Sequence, residues 1–279
     1  MNTDIRMTPA GACLLVPLAF AGLVANAAAA PVDLSLWSAE SYDVVSGFGA
    51  GIWTVNAGGT SVTQSVNGQP TLFYSDFSAF GTEVSGTIRV ASSADDDYIG
   101  FVLGFQPGDS ANPAADYLLV DWKRGTQSYD FSTPSASPGG LAPAGLAVSR
   151  VFGTPDADEF WQHANLSGTP ESSGLTQLAR GLTLGGSGWN ANTDYVFRFD
   201  FGPGNLQIYV NDVLQFDLTG EFSNGRMGFY NFSQSGVSYS AFTVEEGSYV
   251  VPVPAAAWLF GSGLVGLLTV MRRKAGIHA

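Results

Sequence analysis

Along the middle of the chain apolar and polar positions alternate with a period of two, the spacing that sets one face of an extended strand on a core and the other towards water. Ile99, Phe101, Leu103 and Phe105 share one side, while Gly100 and Gly104 take the other. Leu118, Val120 and Trp122 alternate with Tyr117, Leu119 and Asp121, and Phe197, Phe199 and Phe201 alternate with Arg198 and Asp200. The pattern predicts half-buried strands here and further strands over 84–91, 145–152, 206–210, 213–218, 226–232 and 237–244, broken by Gly, Pro, Asn and Ser clusters such as 132–144. That many short strands suits an all-β, two-sheet sandwich. Asn211-Asp212, between LQIYV and VLQFDL, reads as a two-residue hairpin turn. Its register sets Asp217 opposite Leu206, so either a bulge intervenes or that face is wet. Phe160 to Arg180 lacks clean alternation and reads as a long excursion with room for one short helix. No internal repeat and no second domain is visible.

The two ends break the pattern. Arg6 precedes an uncharged stretch over 10–25, and Ala25-Asn26-Ala27 supplies a small-x-small cleavage site, so residues 1–27 read as a secretory signal helix. Cys13 lies too early in the apolar stretch for a lipoprotein anchor. At the other end nothing from Tyr249 to Met271 is charged. The helix-compatible part, 255–271, is short for a hydrocarbon core of about 30 Å, and the Pro-Val-Pro stretch brings it nearer to spanning. Arg272, Arg273 and Lys274 then stay cytoplasmic, with the bulk of the protein on the far side. Pro252, Pro254, the run Ala255 to Leu264 and the final Arg-Arg-Lys resemble the PEP-CTERM sorting signal of Gram-negative exoproteins, with Val253 where the name-giving motif has Glu. The resemblance implies an exosortase as export partner, which cuts near the prolines and releases the body after transient anchoring in the inner membrane. The alternative is a permanent C-terminal transmembrane anchor. The chain thus divides into 1–27 signal peptide, 28–249 β-sandwich and 250–279 sorting segment.

Composition narrows the chemistry of the body. The chain of 279 residues carries a formal charge of -13, which argues against nucleic acid as a partner. Between residues 28 and 251 there are seven basic and 23 acidic residues, giving 7 - 23 = -16. No cysteine and one histidine, His163, remain there, so disulfides, a thiol nucleophile and a zinc site of ordinary composition are excluded. Carboxylate oxygens are abundant, and calcium is the metal they suit. Asp95, Asp96 and Asp97 stand in succession at a strand entry, where three carboxylates repel one another unless a cation or many donors offset them. Read by itself the triplet is either a solvated acidic turn or a cation site.

The same residues carry a family resemblance. DDDYIGFVLGFQ (95–106) followed by YLLVDWKRGTQ (117–127) resembles the thrombospondin C-terminal domain, a calcium-binding, concanavalin-like jelly roll of L-type lectin shape. LFYSDFSAFGTEVSGTIRV (72–90), FWQHANLSGTPESSGLTQLA (160–179), GWNANTDYVFRFDF (188–201) and NGRMGFYNFSQSGVSYSAF (224–242) follow the family's order, so the match runs over roughly 50–245. It implies that Asp95, Asp96 and Asp97 help coordinate Ca2+, with Asp76 of the Tyr-Ser-Asp-Phe turn as the contributor from a second segment. Asp121 stands where the family usually has a hydrophobic residue, and is expected on the wet sheet face. The aspartate-rich repeats and cysteines of animal thrombospondins are absent, and functions assigned to those repeats do not carry over.

A glycoside hydrolase would need two carboxylates about 5–10 Å apart across a scissile bond, on one strand with a spacing such as Glu-x-Asp-x-x-Glu. No strand has it; Asp156, Asp158 and Glu159 come closest but sit in a loop, where a solvated edge or a further ion site is expected. A Ser-His-Asp device would have to be built on His163, which reads as a packed or surface histidine. Trp37, Trp53, Trp122, Trp161 and Trp189 read chiefly as core, with one or two free to stack on sugar rings. The sequence therefore points to a secreted, calcium-binding, non-catalytic adhesion or matrix protein of the cell exterior or biofilm, whose partner is an extracellular polysaccharide or surface protein. A carbohydrate-binding module of the exopolysaccharide matrix is the alternative, and a glycoside hydrolase the more distant one.

Overall fold

The structure is a computed structural model that describes residues 29–133, 139–166 and 173–246. The expected signal helix and C-terminal transmembrane helix, with Pro252, Pro254, Arg272, Arg273 and Lys274, lie outside the described residues. Among the described residues no helix is long and apolar enough to cross a membrane.

The strands are β1 (Ala30–Pro31), β2 (Ser38–Ser41), β3 (Trp53–Val55), β4 (Ser61–Gln64), β5 (Thr71–Ser78), β6 (Thr82–Val90), β7 (Tyr98–Phe105), β8 (Asp116–Lys123) and β9 (Gln127–Tyr129). They continue with β10 (Gly140–Ala142), β11 (Gly145–Phe152), β12 (Gly174–Arg180), β13 (Asp194–Gly202), β14 (Asn205–Val210), β15 (Val213–Thr219), β16 (Arg226–Phe232) and β17 (Val237–Glu246). One short helix, α1 (Ala157–Gln162), lies between β11 and β12. The first sheet has the order β15-β14-β13-β6-β17-β4-β3 with β1 beside β17, and the second has β12-β11-β8-β7-β16-β5-β2. The last two strands therefore close the centre of each sheet, between strands laid down earlier in the chain. The result is an all-β sandwich.

The core between the sheets is aromatic. Phe197, Phe199, Phe201, Tyr239 and Phe242 from the first sheet meet Phe73, Phe101, Trp122 and Phe229 from the second, all buried. Phe229 and Tyr239 stack at 4.2 Å, and Phe101 meets Phe199 edge-on at 4.8 Å. Side chains of this size contribute a large apolar area each, which lets a sandwich hold together without a cross-link.

The second sheet departs from the half-buried expectation. Every residue of β7 is buried, because its outer face carries a second cluster in which Tyr98, Val102, Tyr117, Leu119, Tyr230 and Phe232 pack under Tyr42, Val45, Phe160 and Trp161. Phe105 belongs to this outer cluster rather than to the side of Ile99, Phe101 and Leu103. Gly104 has φ 83, and the register with β16 shifts between Arg226 and Met227, so the alternation turns over there.

The hairpin expectation resolves in favour of a bulge. Asn211 (φ 48) and Asp212 (φ 63) make the turn, and Val213 pairs Val210. A register shift at Ile208/Tyr209 then brings Leu218 opposite Leu206 and Asp217 opposite Gln207. Both apolar residues thus stay on one face. Asp156, Asp158 and Glu159, expected at a solvated edge, instead build the start of α1. Asp156 and Glu159 form a capping box, and the buried Asp158 accepts from the backbone N–H groups of Phe131 and Thr133 at 2.9 and 3.3 Å.

Candidate metal centre

The triplet sits where β6 hands over to β7. Tyr98 pairs with Lys123 in the ladder, so the residues just before Tyr98 lie against Lys123, Arg124 and Gly125 just past the end of β8. The backbone there is fixed on several sides. The carbonyl of Asp96 accepts from Arg124 N–H at 3.0 Å and Gly125 N–H at 3.3 Å, and the carbonyl of Asp97 accepts from the Trp189 indole at 3.1 Å. Asp97 N–H donates to Gln234 Oε1 at 3.1 Å. A Cβ on Gly125 would lie 1.9 Å from Asp96 Oδ2, so the carboxylate rests against bare backbone that only glycine supplies.

In this frame one carboxylate oxygen from each of Asp95, Asp96 and Asp97 lies within 4.8 Å of the other two. Asp95 and Asp96 are half-buried and Asp97 is buried. Beside them opens a cleft of about 440 Å³ lined by Ser93, Ala94, Asp95, Asp96, Arg124 and Gly125. Asp95 also accepts from Asn67 Nδ2, and Arg124 donates to the carbonyls of Ser93 and Asp95 at 3.1 and 3.4 Å.

Sequence reasoning missed the protein's own counter-ion. Lys123, fully buried, places Nζ 2.5 Å from Asp97 Oδ1 and 3.7 Å from Asp96 Oδ1. It also donates to the Asp96 carbonyl at 3.3 Å and Gln127 Oε1 at 3.2 Å, and lies 4.3 Å from the Trp161 ring centroid. The signal in the sequence was the period of two: Lys123 follows Asp121 by two positions at the end of a strand that from Tyr117 onward is otherwise apolar or aromatic. Burial pushes the Asp97 carboxyl up to about 6, against the pull of Lys123. Three carboxylates against Lys123 and Arg124 leave a local excess of negative charge. Hard oxygens in excess, beside an open cleft that admits water, fit Ca2+, with carbonyls and water completing the six to eight ligands it takes.

Asp76 is not brought to this site. It is exposed near the end of β5. β5 pairs β16 from Thr71 opposite Asn231 to Ser78 opposite Arg226, while the triplet adjoins the Phe232 end of β16. At about 3.3 Å per residue, several residues of strand separate them, so the expectation that Asp76 completes the triplet's ligand set is corrected. Asp121 is corrected too. It is fully buried on the outer face of the second sheet, where α1 and its flanks cover it, and it meets His163 Nε2 at 2.9 Å. His163 is the packed residue of that pair, held at the C-terminal cap of α1 with φ 53.

The region described by family models as the thrombospondin C-terminal region matches residues 50–246. Zebrafish (Danio rerio) thrombospondin-3b is 27% identical over 200 residues, covering 67% of this chain and 20% of the relative. Human (Homo sapiens) thrombospondin-2 is 27% identical over 206 residues, covering 69% of this chain and 16% of the relative. The chain thus spans about a fifth or less of the length of these relatives. Among solved structures, the carbohydrate-binding module CBM66 from Bacillus subtilis is similar over 75% of this chain and 95% of its own, at 10% identity and a TM-score of 0.48. With the family pattern running through both sheets and the acidic loop between β6 and β7, the chain belongs to the thrombospondin C-terminal region family.

Proposed function

We propose that the domain is a secreted, non-catalytic adhesion or matrix module that binds calcium at the loop of Asp95, Asp96 and Asp97. The observation that carries the reading is the convergence of three carboxylate oxygens within 4.8 Å, on a backbone pinned by Arg124, Gly125, Trp189 and Gln234. Asp95 and Asp96 face the cleft and would hold the ion. Asp97, committed to Lys123, would act as an outer negative charge. A site with the protein's own ammonium alongside suits the weak, roughly 10⁻⁴–10⁻³ M affinities of extracellular calcium modules. At ten times the dissociation constant, linkage gives about 1.4 kcal/mol of added stability. The test is the melting temperature of metal-free protein with and without millimolar calcium, in the parent and in Asp96→Ala. A rise in the parent that shrinks in the variant supports the site; no rise in the parent sinks it.

The partner in this reading is an extracellular polysaccharide or a surface protein. Export rests on the sequence motifs alone: a signal peptide over 1–27, and Pro252, Pro254, Arg272, Arg273 and Lys274 as a sorting signal for an exosortase of a Gram-negative cell. Intact mass of the secreted protein decides it, since a chain that still carries residues 256–279 was not processed there. A second reading, a carbohydrate-binding module, is favoured by a pocket beside the acidic loop whose walls include Phe48, Tyr129, Phe131 and Trp161. Discrete hits on a glycan array would select that reading, and none would favour matrix or protein adhesion.

A further inference from the structure

Beside the acidic loop, sharing no lining residue with its open cleft, lies a second pocket of about 200 Å³ lined by Phe48, Asn67, Asp97, Gln127, Tyr129, Phe131, Trp161 and Ser233. We propose that this pocket binds a single neutral sugar ring, such as the end residue of a glycan. The proposal deepens the carbohydrate-binding reading and does not depend on calcium.

A cavity of about 150 Å³ holds benzene, so the 200 Å³ of this open-mouthed pocket is room enough for one six-membered ring with its hydroxyl groups. β9 places Gln127 and Tyr129 on one face, and the chain carries Phe131 on at the same period of two. Phe131 is held by Tyr129 at 4.6 Å, Trp161 at 5.4 Å and Phe48 at 5.9 Å, each steeply tilted or edge-on. Tyr129 is 46% exposed, a large aromatic left partly bare at the mouth of an otherwise packed cluster. Flat apolar rings beside a few fixed polar groups are the usual make-up of a small-ligand pocket.

The rim of the pocket is polar. Ser233 Oγ donates to Asn67 Oδ1 at 3.3 Å, Asn67 Nδ2 donates to Asp95, and Gln127 Oε1 accepts from Lys123 at 3.2 Å. These bonds orient two amides and a hydroxyl, and each amide nitrogen has two hydrogens to offer, so donors and acceptors for ring hydroxyls remain at the rim. Charge then selects among ring-shaped ligands. Aromatic rings around a carboxylate would ordinarily suit a quaternary ammonium group. Here that role is filled from within, since Lys123 Nζ sits 4.3 Å from the Trp161 ring centroid and 2.5 Å from Asp97. An anionic ligand would meet Asp97 and its two acidic neighbours. A neutral, polyhydroxylated ring is the chemistry that the ring walls and the polar rim together fit.

The test is ligand-observed NMR on the folded protein with methyl glycosides of neutral hexoses and N-acetylhexosamines at about 10 mM, and with choline as the cationic probe. Each is run with calcium and with chelator. At least one glycoside should bind, with or without calcium, and Tyr129→Ala should weaken it about tenfold, equivalent to about 1.4 kcal/mol. Tyr129→Phe should keep most of the affinity, because the ring face is what it offers. Gln127→Ala, a rim change away from the ring cluster, should weaken it as well, provided circular dichroism shows both variants folded. Binding left unchanged by both truncations, binding of choline alone, or no binding of any glycoside would each overturn the proposal. Glycoside binding without a calcium-dependent rise in melting temperature would refute the calcium reading alone, and the reverse result would refute the pocket alone.

Discussion

Lys123 shows how a single side chain sets the terms of its surroundings. It is a buried cation whose partners, Asp97, the Asp96 carbonyl and Gln127, all come from the triplet or the first residue of β9. Removing one half of a buried pair leaves the other charge uncompensated, so Lys123→Met is expected to cost about 3–5 kcal/mol in urea unfolding. Adding Asp97→Asn should recover a large part of that loss, and strictly additive effects would mean the two charges are not coupled. A second ion pair responds to pH in a definable direction. Arg150 donates from Nε and Nη2 to the two Asp116 oxygens at 2.7 and 2.6 Å, and these bonds hold the Asp116 carboxyl below its ordinary 3.8. The folded state then binds this proton less readily than the unfolded chain. Its contribution is therefore present above about pH 4 and is lost as the pH falls through the folded value. With Arg150 half-exposed, the effect should be about 1 kcal/mol or less. Asp116→Asn should flatten the stability curve between about pH 4 and pH 2; a slope equal to the parent's would remove Asp116 from the account.

Strands were legible wherever one face alternates over six residues or more. The expected 145–152 and 226–232 match β11 and β16, and the other strand ranges expected from 84 onward differ from the observed ones by a residue or a few at their ends. The early strands are not legible: β2, β3 and β4 have three or four residues each, too few to show a period, and exist through pairing of β2 with β5, β4 with β17 and β3 with β4, while β5 is buried on both faces over its first five residues and so shows no alternation. β12 lies in the stretch without alternation: it is an edge strand, with Thr176, Gln177 and Leu178 exposed, so its sequence has no buried face to advertise there. The acidic triplet was visible as three adjacent letters, whereas Lys123, Asn67 and Gln234 reach it only through the ladder register. That register is tight at Gly100, which stands between Asp121 of β8 and Tyr230 of β16. A Cβ there would fall 2.1 Å from the Val120 carbonyl oxygen and 2.8 Å from Asp121 Cα, and backbone on a neighbouring strand cannot step aside. Gly100→Ala should therefore cost at least about 2 kcal/mol, seen as a lower melting temperature, and a variant that melts with the parent would show that β7 and β8 can separate freely.

Across the whole molecule, 23 acidic and seven basic residues between positions 28 and 251 impose self-repulsion that a bound ion relieves at one place and dissolved salt relieves everywhere. Raising sodium chloride from about 0.05 to about 0.5 M should raise the melting temperature by a few degrees. Millimolar calcium should do more than sodium chloride of equal ionic strength; equal effects would reduce the triplet to one more element of a screened surface. The strand pairing also gives the sandwich two distinct poles. β1 joins β17 through Ala30 opposite Val244, and β17 ends beside Thr82 of β6. The other end of β6, Val90, leads into the loop of Asp95, Asp96 and Asp97. The first and last described strands thus meet at one pole, about 30 Å of strand away from the acidic loop and the aromatic pocket. When a partner grips the far pole and a tether pulls on the near one, tension runs along β17 and β6. Their ladder bonds lie across that line, so they are strained together in shear rather than unzipped one after another, and the attachment yields only when the whole row gives way at once.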